Sequence, residues 1–595
     1  MILFSKKTLD HIATVYQKNN NNAYDLCLTM MDDDQIATED LVAIDEFCLY
    51  LLGADPVKAI EISRLRINRF PTQQPGVAWS VQAAAHGQVG NIEECVAVCR
   101  EGLRADLPVR MRLNLLSTLA KYEDVSGHLP DMFRCFDPKV DGFDMVSRLY
   151  DLSNRYCFWS EARHYSSLMK EQYERGQFGV TGESARLNLL WCGDNAINTG
   201  VTRSMMRRRY GPGAQKRASP LIKKGFDGKI TLGYLSADFR DHPTAHLMMG
   251  CWRNHDRDRF RVIFFDNGWD DKSLTRVQLE GFCDEIVPVA SLSDQDASKL
   301  IRDRGVDILI ELNGPTHSNR LGIVRQRPAP VQVGYLGWPG SYGGELVDYI
   351  VADHYVFPES RDAVIPERII KMPSTYQVND HKSYEILSLG VGPKSIKASP
   401  FKSPKRRPFR FGSINNINKL SMDVWDVWMH ILREIPFSEL HILHPGLPAI
   451  KNLIQYARQL GVDSKRIVWL PKLGRFEHLE RLHEIDLCLD SWPYGGHTTT
   501  TDALAAGVPV LALEGENFAG RVSGSLLSAA GLGKALIAPD ERGYSQIACS
   551  LAESPEHISQ IRNFMRSNIE GSALFDSLAW TRAWEKRLEE VLDAA

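Results

Sequence analysis

The sequence has no run of roughly eighteen or more apolar residues, the length that a membrane-spanning helix requires. Its opening stretch, MILFSKKTLDHIATVYQKNN, lacks the charged, apolar and small-residue order of a secretory signal peptide. Eleven cysteines are present but none forms a CxxC pair, and Cys95 and Cys99 are the two that lie close together. Because single scattered thiols are typical of a reducing compartment, we expect a cytoplasmic protein without disulfides.

Several enzyme signatures are missing as well. Neither a GxxxxGK(S/T) loop nor a GxGxxG turn occurs in a strand-to-helix context, which argues against ATPases and dinucleotide enzymes. A GxSxG elbow and an HExxH pair with its glutamate are also absent. The formal net charge of −4 excludes a nucleic-acid binder that relies on an overall basic surface. We therefore expect no nucleic acid, no metal site and no cofactor.

The first third of the chain has the pattern of helices. Apolar residues recur every three or four positions between residues 41 and 103, and a weak repeat separates Gly53 from Gly90 by 37 residues. We interpret residues 1–195 as a helical domain, either a tetratricopeptide-like array or an unrelated bundle. The glycine-, proline- and cation-containing residues 196–228 are predicted to be a basic linker.

After residue 229, short β-branched runs alternate with helix-length segments. This alternation predicts an α/β fold of two doubly wound, Rossmann-like lobes with parallel sheets. We assign residues 229–380 to the first lobe, 381–408 to an inter-lobe linker and 409–595 to the second lobe, which ends in a helix near 574–593. Ligands of such sheets bind beyond the carboxyl ends of the strands, so we expect the site there.

The most informative loop, SWPYGGHTTTTDAL, follows a strand that ends near Asp490. Its glycines allow close approach of a ligand, and the helix start that follows offers free N–H groups to a diphosphate. Thr498 and Thr499 add hydroxyl donors, and His497 adds a donor or a cation. Asp502, one turn later, accepts hydrogen bonds from a ribose or orients the histidine. The alternative is that the threonines only cap the helix.

Three further positions are candidates. The loop FGSINNINK ends at Lys419, either a surface charge or a cation that neutralises a leaving phosphate, as Mg²⁺ does in metal-dependent enzymes. His242 and His246 share one helix face; we expect His242 to enter the cleft as an acid–base or positioning group and His246 to be structural. In GYLGWPGSYG, Gly337 and Pro339 are predicted to form a backbone wall against a sugar or phosphate.

In combination these motifs resemble the O-linked N-acetylglucosamine transferase and SPINDLY family, glycosyltransferase family 41, in a bacterial-type form. The similarity spans roughly residues 229–590, where GYLSADFRDHPTAHLM, RPAPVQVGYLGWPG, FGSINNINK, PKLGRFEH and GGHTTTTDAL occur in family order. It implies a GT-B fold behind a tetratricopeptide-like helical domain. It also implies inverting, metal-independent transfer from UDP-GlcNAc to Ser or Thr of proteins, with the acceptor held by the helical domain; an oligomer is compatible with it.

The resemblance implies roles for individual residues. It places Lys419 against the nucleotide diphosphate, as a catalytic group. The pyrophosphate would be bound by His497, Thr498 and Thr499. Asp502 would hold the ribose.

Other positions match the family in part. Asn416 stands where animal enzymes have a phosphate-binding glutamine, and Arg475 stands where a lysine is usual. His478 matches a histidine beside the uracil, and His242 matches a histidine at the sugar end of the cleft, suggested as a catalytic base. Asp307 stands where animal enzymes carry a histidine, and residues 379–408 leave no room for the animal insertion.

Four alternatives remain open at this point. A SPINDLY-like protein O-fucosyltransferase would use GDP-fucose, although SPINDLY has no histidine before its threonines. An asparagine N-glucosyltransferase would use UDP-glucose, but its FGNTNG-like loop is missing here. An enzyme for small molecules would leave the helical domain unexplained. A non-catalytic helical-repeat scaffold would leave Lys419 and the threonines unexplained.

Overall fold

The computed structural model describes residues 20–31, 36, 38–73, 75–211, 228–316, 318–360, 365–380 and 407–594. The chain divides into two compact units, Met1–Met169 with Val180–Gly182, and Lys170–Gly179 with Glu183–Ala595. Within the described ranges, no helix is both long and apolar enough to cross a membrane. Most of the predicted inter-lobe linker, residues 381–406, lies outside the described residues.

The described part of the first unit is helical. Its helices are α1 Asn20–Met31, α2 Thr38–Ala54, α3 Pro56–Arg69, α4 Gly76–Gln88, α5 Ile92–Gly102, α6 Val109–Leu119, α7 Leu129–Cys135, α8 Pro138–Asp141, α9 Val146–Arg155 and α10 Trp159–Glu174, whose last residues belong to the second unit. Each of α2 to α6 packs on the next one along the chain, and α4 also contacts α2 and α6. The prediction of a helical N-terminal region is confirmed, while the tetratricopeptide assignment stays a prediction.

One buried ion pair fixes the first hairpin of this unit. Arg66 lies 3.3 Å from Asp45 and donates a 2.9 Å hydrogen bond to the carbonyl of Gln73. Burial raises the pKa of Asp45 to about 6 even though Arg66 lowers it. The arginine therefore ties α3 both to α2 and to the turn that follows α3.

The predicted linker needs correction, because a helix occupies its first half. After α11 (Ala185–Leu189), α12 covers Asn195–Tyr210. Asp194 caps it by accepting hydrogen bonds from the N–H groups of Ala196 and Ile197. The arginines in its last turn interact favourably with the carboxyl end of the helix. In the sequence, the same cluster of cations has the appearance of a basic linker. The rest of the predicted linker, residues 212–227, lies outside the described residues.

The described residues of the first lobe form a seven-stranded parallel sheet. Its strands are β1 Ile230–Ser236, β2 Phe260–Asp266, β3 Glu285–Pro288, β4 Ile308–Glu311, β5 Val331–Gly334, β6 Tyr349–Asp353 and β7 Arg368–Met372, in the order β3-β2-β1-β4-β5-β6-β7. Its helices are α13 Pro243–Asn254, α14 Leu274–Glu280, α15 Asp294–Asp303 and α16 Leu321–Arg325. The order reverses between β1 and β4, which places a crevice at their carboxyl ends.

The second lobe repeats this plan, with six parallel strands among its described residues. They are β8 Phe409–Ser413, β9 Ser438–Leu443, β10 Ile467–Leu470, β11 Leu487–Leu489, β12 Val510–Leu513 and β13 Ile537–Ala538, in the order β10-β9-β8-β11-β12-β13. Its helices are α17 Met422–Glu434, α18 Leu447–Gln459, α19 Arg475–Leu482, α20 Thr498–Ala505, α21 Phe518–Ala529, α22 Gly533–Leu536, α23 Glu541–Glu553 and α24 Pro555–Asn568. The predicted pair of doubly wound lobes is confirmed.

The last helix, α25 (Ser577–Asp593), follows the second lobe but packs on α13 and β7 of the first. Its buried Glu585 accepts a 2.8 Å hydrogen bond from the N–H of Asp256 and lies 3.0 Å from Nδ1 of His255. Trp580 donates to the carbonyl of Thr375 at 2.9 Å. This helix therefore joins the two lobes.

Candidate functional site

Two loops meet at the switch point of the second sheet, after the neighbouring strands β8 and β11. Asn415, just after β8, donates a 2.8 Å hydrogen bond to Oδ1 of the buried Asp490. Its own side-chain oxygen accepts a 2.6 Å hydrogen bond from the hydroxyl of Thr499. The N–H of Gly496 also donates to Asp490, at 2.6 Å. Asn415 and Asp490, to which the sequence analysis gave no role, thus join both loops to the start of α20.

Lys419 ends a single 3₁₀ turn that follows β8. Its ammonium donates a 2.6 Å hydrogen bond to the carbonyl of Gly495 and lies 4.0 Å from the ring centroid of Tyr494. Burial lowers the pKa of Lys419 to about 8, with Asp490 opposing and Arg186 adding to the shift. No carboxylate among the described residues forms an ion pair with it. The Lys419 ammonium therefore has no paired carboxylate among the described residues and is available to a negatively charged ligand.

His497 precedes α20 without capping it. Its Nε2 lies 3.1 Å from the carbonyl of Ala519, which only accepts hydrogen bonds, so this nitrogen carries the hydrogen. Burial, with Lys419 adding to it, lowers the pKa of His497 to about 3. The ring is therefore neutral rather than a cation, and its one N–H is directed at the carbonyl of Ala519; a contact of His497 with the diphosphate stays a prediction. The backbone N–H groups of the first turn are left without a side-chain cap.

The four threonines divide into two pairs. Thr498 and Thr499 are half-exposed, and the Thr498 hydroxyl has no partner among the described residues. Thr500 and Thr501 are buried. The Thr500 hydroxyl lies 2.8 Å from that of Ser523, and Thr501 donates to Asn379 at 3.0 Å. Thr498 thus differs from Thr499, whose hydroxyl donates to Asn415, and from the two buried threonines, which are structural; none of the four supplies the ordinary helix cap.

The three residues assigned to the nucleoside lie together. Arg475, at the start of α19, is 3.9 Å from Asp502, and His478 is 3.8 Å from the same carboxylate. Burial, with Arg481 and Arg475 adding to it, lowers the pKa of His478 to about 4. The cluster therefore offers a carboxylate, a guanidinium and a neutral imidazole about one turn into α20.

Asn416 has a more local contact. It is exposed, and its side-chain oxygen accepts a 3.0 Å hydrogen bond from the N–H of Asn418. It therefore caps the turn that carries Lys419. Its predicted contact with phosphate stays a prediction.

In the first lobe, His242 occupies the N-cap of α13. Its Nδ1 accepts a 3.3 Å hydrogen bond from the N–H of Thr244 and lies 3.5 Å from Asp238. Burial lowers its pKa, against the opposing effect of Asp238. In the neutral ring that accepts at Nδ1, the hydrogen is on Nε2. The geometry therefore makes His242 a donor toward a ligand. His246 is buried, with Nε2 2.7 Å from Asp241, as expected of a structural histidine.

A buried network supports this histidine, and the sequence analysis missed it. Asn313 accepts from the N–H of Ala237 at 2.9 Å and donates to Asp238 at 2.8 Å. Glu311, whose pKa burial raises to about 7, accepts from the N–H of Gly314 and the hydroxyl of Tyr342. The polar ending of the run VDILIELNG was the available signal.

Gly337 is explained by packing, because a Cβ there would lie 2.0 Å from the carbonyl of Leu312. Pro339 beside it is buried. Both residues follow β5 at the carboxyl edge of the sheet, and their contact with a ligand stays a prediction. Asp307 lies at the opposite edge, before β4, where it accepts a 2.7 Å hydrogen bond from the N–H of Thr231.

No group of three or more His, Cys, Asp or Glu side chains is placed to hold a metal in the part of the chain that the structure describes. The positive groups of the site are Lys419, Arg475 and the open end of α20. Each of them suits a phosphate or another anion.

Comparisons with known proteins agree with this geometry. The family profile described as glycosyl transferase family 41 matches residues 217–388 and 406–584. The probable UDP-N-acetylglucosamine–peptide N-acetylglucosaminyltransferase SEC of Arabidopsis thaliana is 31% identical over 387 residues, which cover 64% of this chain and 39% of the relative. A SPINDLY protein of Petunia hybrida with the same enzyme name is 30% identical over 370 residues, 60% of this chain and 38% of its own.

The chain thus spans about two fifths of the length of these relatives, 39% and 38%. Among solved structures, a lysine-to-methionine mutant of Thermobaculum terrenum O-GlcNAc transferase superposes with a TM-score of 0.66 at 22% identity. The match covers 93% of this chain and 98% of that one. It shows that the two proteins share their fold, the two-lobed GT-B architecture with a helical N-terminal region.

Proposed function

The chain belongs to glycosyl transferase family 41, and we propose that it transfers GlcNAc from UDP-GlcNAc to Ser or Thr side chains of acceptor proteins. The reaction inverts the anomeric centre and requires no metal. The observation that carries this proposal is the uncapped start of α20 near Lys419, whose ammonium donates to Gly495, with the half-exposed Thr498 as the first residue of that helix. A diphosphate satisfies all three groups at once.

The mechanism is a direct displacement. The acceptor hydroxyl attacks the anomeric carbon while the bond from that carbon to the diphosphate oxygen breaks, and the hydroxyl proton leaves to a diphosphate oxygen or to solvent. Negative charge on the leaving nucleoside diphosphate grows in the transition state, so Lys419, the threonine hydroxyl and the helix amides stabilise the transition state more than the ground state. His242 donates from Nε2 to an oxygen at the sugar end of the cleft.

The nucleoside lies against the cluster at the other end of the site. Asp502 accepts hydrogen bonds from the ribose, and His478 and Arg475 flank the base. Because His478 is neutral, it adds a hydrogen bond without a charge.

A donor screen with the purified full chain tests this proposal. Release of nucleoside diphosphate is measured with UDP-GlcNAc, UDP-glucose and GDP-fucose, with and without protein substrate, in excess EDTA. We expect the highest turnover with UDP-GlcNAc and no effect of the chelator. Preferred turnover of GDP-fucose would establish the SPINDLY-like alternative. Activity that EDTA removes and Mg²⁺ or Mn²⁺ restores would contradict the role given to the protein cations.

We further propose that the helical N-terminal unit selects the protein acceptor. Helical arrays leave long faces for extended peptides, and the diphosphate, nucleoside and sugar groups all lie after residue 229. Charge reversal at exposed Glu93 and Glu94 on α5 should therefore lower protein glycosylation while donor affinity stays unchanged. Equal losses of both would show that this unit is only structural.

A further inference from the structure

An exposed tryptophan stands beside the loop that carries His242. Trp269 follows β2 and is 59% exposed. Its neighbour Gly268 packs closely on the loop that follows β1, since a Cβ at this position would lie 2.2 Å from the carbonyl oxygen of Ala237. The N–H of Asp241 donates a 2.9 Å hydrogen bond to Asp271. The tryptophan loop is therefore fixed to the loop of the catalytic cleft.

Arg240 connects the ring to the site. Its guanidinium carbon lies 4.2 Å from the ring centroid of Trp269, and Nη2 lies 3.5 Å from Asp238. Asp238 in turn lies 3.5 Å from Nδ1 of His242. The stacked arginine holds the indole at a defined position close to the sugar end of the cleft, with the remainder of the ring open to solvent.

Two more apolar side chains are exposed shortly after it. Leu274 and Val277 are 83% and 61% exposed and lie on one face of α14, three residues apart. We call Trp269, Leu274 and Val277 the Trp269 rim. Covering such side chains lowers the free energy by about 25 cal/mol per Å², and a held aromatic ring loses little conformational entropy on binding.

We propose that the Trp269 rim binds an apolar side chain of the acceptor polypeptide, close in sequence to the residue that is modified. This inference rests on the proposed function. The donor's charged groups are already placed in the second lobe, which leaves the first-lobe rim for the acceptor. Three side chains are far fewer than a stable dimer requires, at about 800 Å² per partner, so a second copy of the chain does not fit.

Charge narrows the partner further. Asp241, Asp270 and Asp271 surround the rim loop, and their carboxylates accept hydrogen bonds within it or from its neighbours. Acidic residues next to the modified position would be repelled by them. The rim therefore favours aliphatic or aromatic neighbours over aspartate and glutamate.

The test uses a positional-scanning peptide library with a fixed central Ser or Thr, UDP-GlcNAc and the full chain, with mass spectrometry as readout. We expect one flanking position to prefer aliphatic or aromatic residues. Trp269→Ala should lower kcat/KM for those peptides about tenfold and flatten the preference, as loss of one interface anchor does. Donor hydrolysis without peptide should stay unchanged. Phe437→Ala is the matched control, because Phe437 is 62% exposed and immediately precedes β9, at the amino ends of the strands of the second sheet.

A second variant tests the same surface in case Trp269→Ala does not fold. Leu274→Asp adds a charge at the first position of α14, where an acidic residue suits the helix. It should lower transfer to apolar-flanked peptides in the same way. Unchanged preference in both variants, or an equal loss of donor hydrolysis, would overturn the rim's role. Transfer to no peptide by the unchanged chain would instead refute the proposed function, and with it the rim.

Discussion

A histidine precedes a helix at the carboxyl edge of each sheet, and the two histidines behave in opposite ways. His242 accepts a hydrogen bond from the N–H of Thr244 and so caps α13. His497 turns toward the carbonyl of Ala519 and leaves α20 without a side-chain cap. The first helix gives one of its amides, that of Thr244, to the histidine, whereas the second has no side-chain cap and offers its first amides to a ligand. Two similar local sequences, a histidine followed by the first turn of a helix, thus give a capped helix in the first lobe and a candidate anion site in the second.

The neighbouring polar groups follow the same division. In the first lobe, Glu311 and Asn313 exchange their hydrogen bonds with backbone and side chains of the sheet edge. In the second lobe, the Lys419 ammonium donates a hydrogen bond to the carbonyl of Gly495. The Thr498 hydroxyl has no partner among the described residues. Binding energy for a charged donor is therefore concentrated in the second lobe.

The largest effect is expected from Lys419→Ala. Removing one stabiliser of transition-state charge costs about 10²–10³ in rate, so kcat should fall by that factor. Measurement of turnover at saturating donor, with circular dichroism to verify folding, tests this. Lys534→Ala, at an exposed lysine, is the control. Near-normal turnover of the Lys419 variant would remove the asymmetry between the lobes.

His242→Asn separates capping from chemistry. Asparagine is a good N-cap, so thermal stability should stay close to that of the unchanged chain. Loss of the hydrogen bond that Nε2 donates should lower kcat/KM about tenfold. Full activity with full stability would mean that His242 only caps α13. His242→Ala, which cannot cap, should lose stability as well and serves as the reference.

The hydrogen-bond partners of these side chains could not be predicted from the sequence, whereas the fold could. Strand-length runs and helix periodicity predicted both sheets, because burial on two faces leaves a continuous apolar signal, as in β1. Short edge strands such as β13 went unpredicted because two residues carry too little pattern. Lys419 and the threonines were found from loop composition. That His497 does not cap, and that Asn415 bridges two loops, depends on tertiary contacts to Ala519 and Asp490.

His497→Asn tests the comparison from the other side. An asparagine at this position is able to cap α20 and so to occupy the amides that the diphosphate needs. We expect higher thermal stability and a donor affinity about tenfold weaker, the value of one or two hydrogen bonds. Calorimetric titration with UDP, beside a thermal melt, measures both. Unchanged affinity would show that the helix amides do not bind the donor.

The pH dependence of kcat/KM should reflect the loss of the proton from Lys419. Its pKa of about 8 in the free protein means that the ammonium loses its proton as the pH rises through that value. Because kcat/KM follows the free enzyme, it should fall above pH 8 by about tenfold per pH unit. Lys419→Arg keeps its charge throughout and should show no such fall, whatever its absolute rate. A descending limb that persists in this variant would belong to another group.

The smallest effects should come from separating the threonines. Thr498→Ala removes a hydroxyl without a partner among the described residues, so donor affinity should weaken by about threefold to tenfold while the melting temperature stays the same. Thr501→Val removes a buried hydroxyl that donates to Asn379 and accepts from Gln377. The two amides keep their 2.8 Å hydrogen bond to each other, so losing the hydroxyl should cost about 1 kcal/mol of stability with little effect on donor affinity. Titration with UDP and thermal melts of both variants give a two-by-two comparison. If both variants lose stability and neither loses affinity, the threonine run serves only the fold, and the diphosphate depends on Lys419 and the helix amides alone.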